Sequence, residues 1–281
     1  MADPTIAELW DDYVPVSKRH DTWATEAGRA KHLIRHLGAR RASQLSLREV
    51  DRYRADRLDE TTARGGPPSP ATLDREVELL KRIINYGVEC RRVYANPIAR
   101  VKLLGKSNIR KSVVKEDAFK RLHAAAAEPL KPILLVAFDT GMRLSEILRL
   151  RRDQLDLTEG CIELAAEDTK TDEPRRVYLT PRVREALGAL ELAGDYVFTN
   201  PKTGTHYDDV RKAFASACEA AGLPGLWFHD LRRSFATRAI KRGIPQRVVM
   251  RMTGHRSDAV FKRYNIIFDA DVRDAANKLG D

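Results

Sequence analysis

The stretch GKSNIRKSVV at residues 105–114 divides this sequence. It is polar and basic, carries no helical stripe, and follows the helix-closing pair Asn96-Pro97. A chain interrupted there builds two cores rather than one, and 281 residues are enough for two domains of ordinary size. Before the break the pattern is helical throughout. Apolar periodicity predicts helices near residues 5–18, 21–37, 46–59 and 70–94. Ser46 with Glu49 reads as a capping box, and Ser69-Pro70 as a cap followed by a first-turn proline. Leu73, Val77, Leu80, Ile84 and Val88 make the apolar stripe of the fourth helix.

After the break, helical patterns run through EDAFKRLHAAA and PILLVAFDTGMRLSEILRL. CIELAAEDTKTDEPRRVYL then alternates apolar and polar residues on both sides of TKTDEP, which predicts a small antiparallel hairpin or sheet. Helices resume through VREALGAL, DDVRKAFASACEAAG, HDLRRSFATRAIKRG, PQRVVMRMTG and DADVRDAANKL. The expected architecture is mainly α: a helical N-terminal domain, then an α+β domain with a short sheet.

A net charge of +10 and a pI near 9.6 point to a polyanionic partner, because Lys and Arg gain affinity by releasing counterions condensed on nucleic acid. Both parts are basic: residues 1–105 hold 19 Lys and Arg against 15 Asp and Glu, and residues 106–281 hold 31 against 25. No apolar run reaches the roughly 18 residues of a membrane span, and MADPTIAELWDDY lacks the features of a signal peptide. The expectation is a cytoplasmic, nucleoid-associated protein. Cys90, Cys161 and Cys218 fit neither a disulfide framework nor a zinc site and read as reduced core or near-core thiols. His32 and His36 have ligand spacing, but no neighbour in sequence completes a set, so they read as an ordinary helix face.

Six dispersed polar residues stand out: Arg143 in TGMRLSEI, Lys170 in DTKTDEPRRV, His229 and Arg232 in HDLRRS, His255 in TGH, and Tyr264 in KRYN. They supply what is needed to hold a phosphodiester by its oxygens, attack it with a phenol and protonate the leaving oxygen. Planar guanidiniums match two non-bridging oxygens, so Arg143 and Arg232 form a natural clamp, with Glu146 one turn on to orient Arg143. A phenol of pKa about 10 needs a base or a positive pocket, and a departing alkoxide needs an acid. Singly, each of these residues is equally at home in a core or a surface ion pair.

Taken together and in this order over about 120 residues, these motifs resemble the tyrosine recombinase (phage integrase) family. The resemblance implies a core-type DNA-binding domain over 1–104, a linker over 105–112 and a catalytic domain over 113–281 with a C-terminal tail. It implies Tyr264 as nucleophile, forming a 3′-phosphotyrosine. His229 would accept or relay the phenolic proton, His255 would donate to a non-bridging oxygen, and Lys170 would be the general acid on a hairpin tip. Asp172 and Glu173 stand where relatives often have a glycine and a basic residue, which leaves Lys202 as a fallback acid. The bond energy is kept in the phosphotyrosine, so no cofactor, ATP or metal is expected.

The implied partners are double-stranded DNA, a homotetramer joined through the tail after Tyr264, and accessory DNA-bending or directionality factors. The implied role is integration or excision of a mobile element or phage. Many relatives carry an arm-binding domain first; here four residues precede TIAELWDDY, which fits either a simple recombinase or a chain from which that domain was removed. Three other activities share parts of this pattern. A type IB topoisomerase shares the chemistry, a transposase of a conjugative element would be a variant of the same enzyme, and a DNA-binding architectural protein or excision-type regulator shares the charge and helices but has no use for the six-residue set.

Overall fold

The computed structural model describes residues 3–63, 65–105, 112–169, 173–191 and 194–261. The chain divides into two compact units, Met1–Asn108 and Ile109–Asp281. The expected linker falls almost entirely on residues 106–111, outside the described residues.

Among the described residues the first unit contains four α-helices: α1 (Ile6–Ser17), α2 (Trp23–Leu37), α3 (Leu47–Leu58) and α4 (Pro70–Glu89). Thr5 and Glu8 close a reciprocal capping box on α1, which satisfies two otherwise orphaned N–H groups. Ser69 accepts from the Thr72 amide with Pro70 in the first turn of α4, as its sequence predicts. The Ser46 box does not form: the Ser46 hydroxyl donates to the Glu49 carboxylate instead of capping a backbone amide.

Val77, Leu80 and Ile84 of α4 are fully buried in one core with Ile6, Leu9, Leu33, Val50 and Tyr53, and Leu73 is fully buried as well. Two buried carboxylates tie the bundle together. Glu26 of α2 accepts from Ser17 (2.6 Å) and from Arg82 of α4 (2.8 Å). Glu76 of α4 accepts from Tyr53 (2.7 Å) and from both Nε and Nη2 of Arg57 on α3. The fourth helix is shorter than its periodicity predicts. Arg91 adopts φ 56°, and the Arg92 amide reaches back to the Gly87 carbonyl, a left-handed stop that the apolar stripe does not signal. Cys90, just past that end, is exposed, contrary to its expected core or near-core placement; Cys161 and Cys218 are buried. The fold also brings Glu60 to His36 (2.6 Å), with Arg35 and Arg57 on the same carboxylate, so these histidines belong to an ion-pair cluster.

The second unit is built around α6 (Lys131–Thr140), whose residues from Ile133 to Thr140 are all buried. A helix apolar on every side takes the centre of its domain. It is packed by α5 (Glu116–Ala125), α8 (Pro181–Gly188) and α10 (Phe228–Lys241), and α9 (Arg211–Ala220) covers α5. The one carboxylate on α6, Asp139, is held by Arg182 and by Thr180 (2.9 Å), with the Arg238 guanidinium 3.6 Å from the Phe138 ring alongside. The expected hairpin is part of a three-stranded antiparallel sheet: β1 (Leu155–Asp156), β2 (Cys161–Leu164) and β3 (Arg175–Tyr178), in the order β1-β2-β3. Ile162 faces Val177, and Leu164 faces Arg175. The remaining helices are α7 (Leu144–Leu148), α11 (Gln246–Thr253) and α12 (Asp258–Phe261). The predicted tail helix lies outside the described residues.

Candidate active site

Two Thr-Gly pairs build the site. Thr140-Gly141 ends α6 and Thr253-Gly254 ends α11. Each threonine hydroxyl donates back to the carbonyl four residues earlier, Val136 (2.6 Å) and Val249 (2.7 Å). Each glycine is left-handed at φ 68°, a conformation open to glycine because a Cβ would crowd the carbonyl. The turn presents the glycine carbonyls to the two arginines singled out by the motifs. Arg232 Nη1 donates to Gly141 O (2.5 Å), and Arg143 Nη2 donates to Gly254 O (3.0 Å). Each arginine is thus anchored by a glycine from a distant segment.

Arg143 caps α7, with its amide on Glu146 Oε2 and its Nη1 on Glu146 Oε1, both at 2.8 Å. Arg232, on the first turns of α10 three residues after His229, is only 2 % exposed. Its Nη2 lies 3.2 Å from His255 Nε2. Because the Thr253 hydroxyl spends its proton on Val249, its oxygen accepts from His255 Nδ1 at 2.6 Å. The ring proton therefore sits on Nδ1, and Nε2 faces the guanidinium as an acceptor. Phe261 meets the His255 ring edge-on at 5.5 Å.

The electrostatics follow from two guanidiniums, Arg175 and Arg143, around the Glu146 carboxylate. Burial opposes ionisation of Glu146, but hydrogen bonds and charge from Arg175 and then Arg143 outweigh it, and its carboxyl titrates below the usual range. Desolvation, then the charges of Arg232 and Arg143, push His255 down to about 3. Desolvation followed by Arg232 and Arg233 lowers His229 to about 4, although water reaches that ring. Both imidazoles are neutral at pH 7. Among the described residues no group of His, Cys, Asp and Glu is arranged to hold a metal. The arrangement is suited to an oxyanion, because planar guanidiniums with several N–H donors match the oxygens of a phosphate.

Of the residues expected at the site, Arg143 contacts Glu146 and Arg232 contacts His255, the two pairs being linked through the Gly141 and Gly254 turns, and His229 lies on the first turn of the helix that carries Arg232. Lys170, Asp172 and Tyr264 lie outside the described residues. Glu173 pairs with Arg256, the residue after His255, at 3.1 Å. Lys202 sits in an exposed turn. One residue escaped the motif reading: Arg175 on β3, whose Nη1 and Nη2 donate to Glu146 at 3.2 and 2.6 Å. Strand alternation was the available signal, since Arg175 shares its face with the buried Val177.

A sequence model of the phage integrase family matches residues 112–270. The chain is 24 % identical to a tyrosine recombinase of Thermosipho africanus, over 98 % of this chain and 99 % of that one. It is 29 % identical to a shufflon-specific DNA recombinase of Escherichia coli, covering 81 % of this chain and 59 % of that relative. In fold it is similar to a lambda integrase (75–356) dimer bound to a COC′ core site, with a TM-score of 0.78, 18 % identity, and 93 % and 95 % of the two chains covered. It is similar also to the Tn1549 transposon integrase in complex with a circular intermediate DNA, with a TM-score of 0.80, 14 % identity, and 98 % and 99 % covered. Since the family match takes in more than half of the chain, the protein belongs to the phage integrase family of tyrosine recombinases.

Proposed function

We propose that this chain is a site-specific DNA recombinase that cuts and rejoins strands through a covalent 3′-phosphotyrosine. The observation that carries the reading is the crossed anchoring of Arg143 and Arg232, which brings together three motifs separated by 91 and 111 residues around one cationic site. Arg143 and Arg232 hold the non-bridging oxygens and stabilise the charge that grows as phosphorus becomes five-coordinate. The Tyr264 oxygen attacks phosphorus, its proton passes to His229, and the bond to the 5′ oxygen breaks as Lys170 protonates it. A His229 ring that is neutral at pH 7 is in the accepting form. Desolvation, then the charges of Arg232 and Arg143, keep His255 neutral in the free site; an arriving phosphate offsets those charges, so that His255 takes up a second proton and Nε2 donates to a non-bridging oxygen. Attack of a partner strand's 5′ hydroxyl on the phosphotyrosine reseals the DNA.

The first unit serves as the core-type DNA-binding domain and the second as the catalytic domain. Four protomers act on two sites, with the tail after Tyr264 packing on a neighbour and accessory factors setting direction. The substrates are the DNA sites at which a mobile element or phage is integrated or excised. The similarity of the fold to a lambda integrase tetramer bound to a Holliday junction supports the assembly. A nicked suicide substrate, made from the sequence selected out of random DNA, tests the reading. Native protein is expected to be trapped covalently and the Tyr264→Phe variant to bind without trapping. Arg143→Ala is expected to keep affinity and lose about 10²–10³-fold in cleavage. Binding by the native protein with no covalent product at any site overturns the assignment.

A further inference from the structure

Among the described residues Arg175 has a different partner from the reacting groups of the scheme above: its side chain is only 7 % exposed and pairs with Glu146 at the centre of the site. Both terminal nitrogens grip the Glu146 carboxylate, which is itself 1 % exposed and also holds the Arg143 guanidinium and amide. Glu146 and Arg143 alone would be a neutral pair. A carboxylate that orients a catalytic guanidinium so closely also cancels the charge that the phosphate is meant to feel.

We propose that Arg175 is the counter-charge of Glu146, a positioning residue that lets the carboxylate orient Arg143 while the trio keeps a net positive charge towards the scissile phosphate. Gly254 supplies independent support. A Cβ built there would lie 3.1 Å from Arg175 Nη1 and 3.2 Å from Cζ, so the guanidinium is packed flat against the turn that holds Arg143 and precedes His255. Arg175 also opens β3, paired to Leu164 of β2, and Lys170 lies in the segment joining these strands. One side chain thus ties that strand to the clamp. The proposal rests on the recombinase reading.

The test is a double-mutant cycle of Glu146→Gln and Arg175→Gln, read as the rate of covalent trapping at saturating suicide substrate, with DNA affinity measured in parallel. Counting Arg143, Glu146 and Arg175, the native trio carries one positive charge, R175Q none, E146Q two, and the double variant one. R175Q is expected to trap about 10- to 100-fold more slowly, with affinity changed by less than about threefold. Adding E146Q is expected to restore much of that rate, which a purely structural loss would not allow. Native-rate trapping by R175Q, or a double variant no faster than R175Q, overturns the proposal. Absence of trapping by the native protein overturns the recombinase reading as well. If R175Q does not fold, E146Q and the double variant carry the test, since a neutral amide pair replaces a buried ion pair with little loss of stability. Arg175→Gln in the E146Q background should then cost less than about fivefold, and a larger loss overturns the charge-balance role.

Discussion

Replacing Gly254 by alanine separates backbone strain from catalytic placement. An L-residue at φ 68° costs about 1–2 kcal/mol, which lowers the melting temperature of a unit of this size by about 2–8 °C. The added methyl would also sit 3.1 Å from Arg175 Nη1, a few tenths of an ångström inside ordinary contact. Arg175 and the Gly254 carbonyl then shift, and both Glu146 and Arg143 shift with them. Misplacement by about 1 Å costs about 10²-fold in an aligned reaction, so a shift of half that predicts roughly a tenfold loss or more. Gly222→Ala is the control: it has the same φ of 68°, with nothing within 4 Å of the new methyl. Both variants should lose similar stability, but only Gly254→Ala should slow single-turnover covalent trapping at saturating DNA. Equal trapping rates in the two variants would refute the placement argument.

Glu76→Ala should strand the buried Arg57 guanidinium and the Tyr53 hydroxyl and destabilise the first unit by about 3–5 kcal/mol, read as a lowered urea midpoint. Thr253→Val removes the acceptor that keeps the proton on His255 Nδ1; cleavage should slow about tenfold while affinity holds, as expected of a mispositioned acid–base group. Acid should destabilise the second unit. The His255 pKa, about 3 when folded, lies below its unfolded value near 6.5, so its contribution is complete above pH 6.5 and is lost as pH falls towards 3. Between pH 6.5 and 4.5 this amounts to about 2–3 kcal/mol, and Glu146 and Asp139, whose pKa values are also lowered, add to the loss at still lower pH. His255→Gln should flatten the decline of melting temperature across pH 6.5 to 4.5; an unchanged slope contradicts the assignment.

Much of the fold was legible because its signals are local. Apolar periodicity places α1, α2 and α3 to within two residues, Ser69-Pro70 marks where α4 begins, and alternation around TKTDEP marks β2 and β3. The ends that failed depend on backbone choices that periodicity does not encode, such as the left-handed Arg91 that stops α4. The chemical types at the site were legible too, since a phosphodiester calls for guanidiniums and imidazoles in any fold.

Side-chain partners were not legible. Nothing in HDLRRS says that Arg232 reaches Gly141 while Arg233 turns to Asp230, and nothing in PRRVY says that Arg175 meets Glu146 while Arg176 pairs with Glu163 on the surface. Residue order along the chain determines which elements form and which functional groups are present, because those depend on neighbours within a turn or a strand. The charge balance of the clamp is decided only when segments about a hundred residues apart pack together, because an ion pair depends on distances of a few ångströms that tertiary packing alone sets.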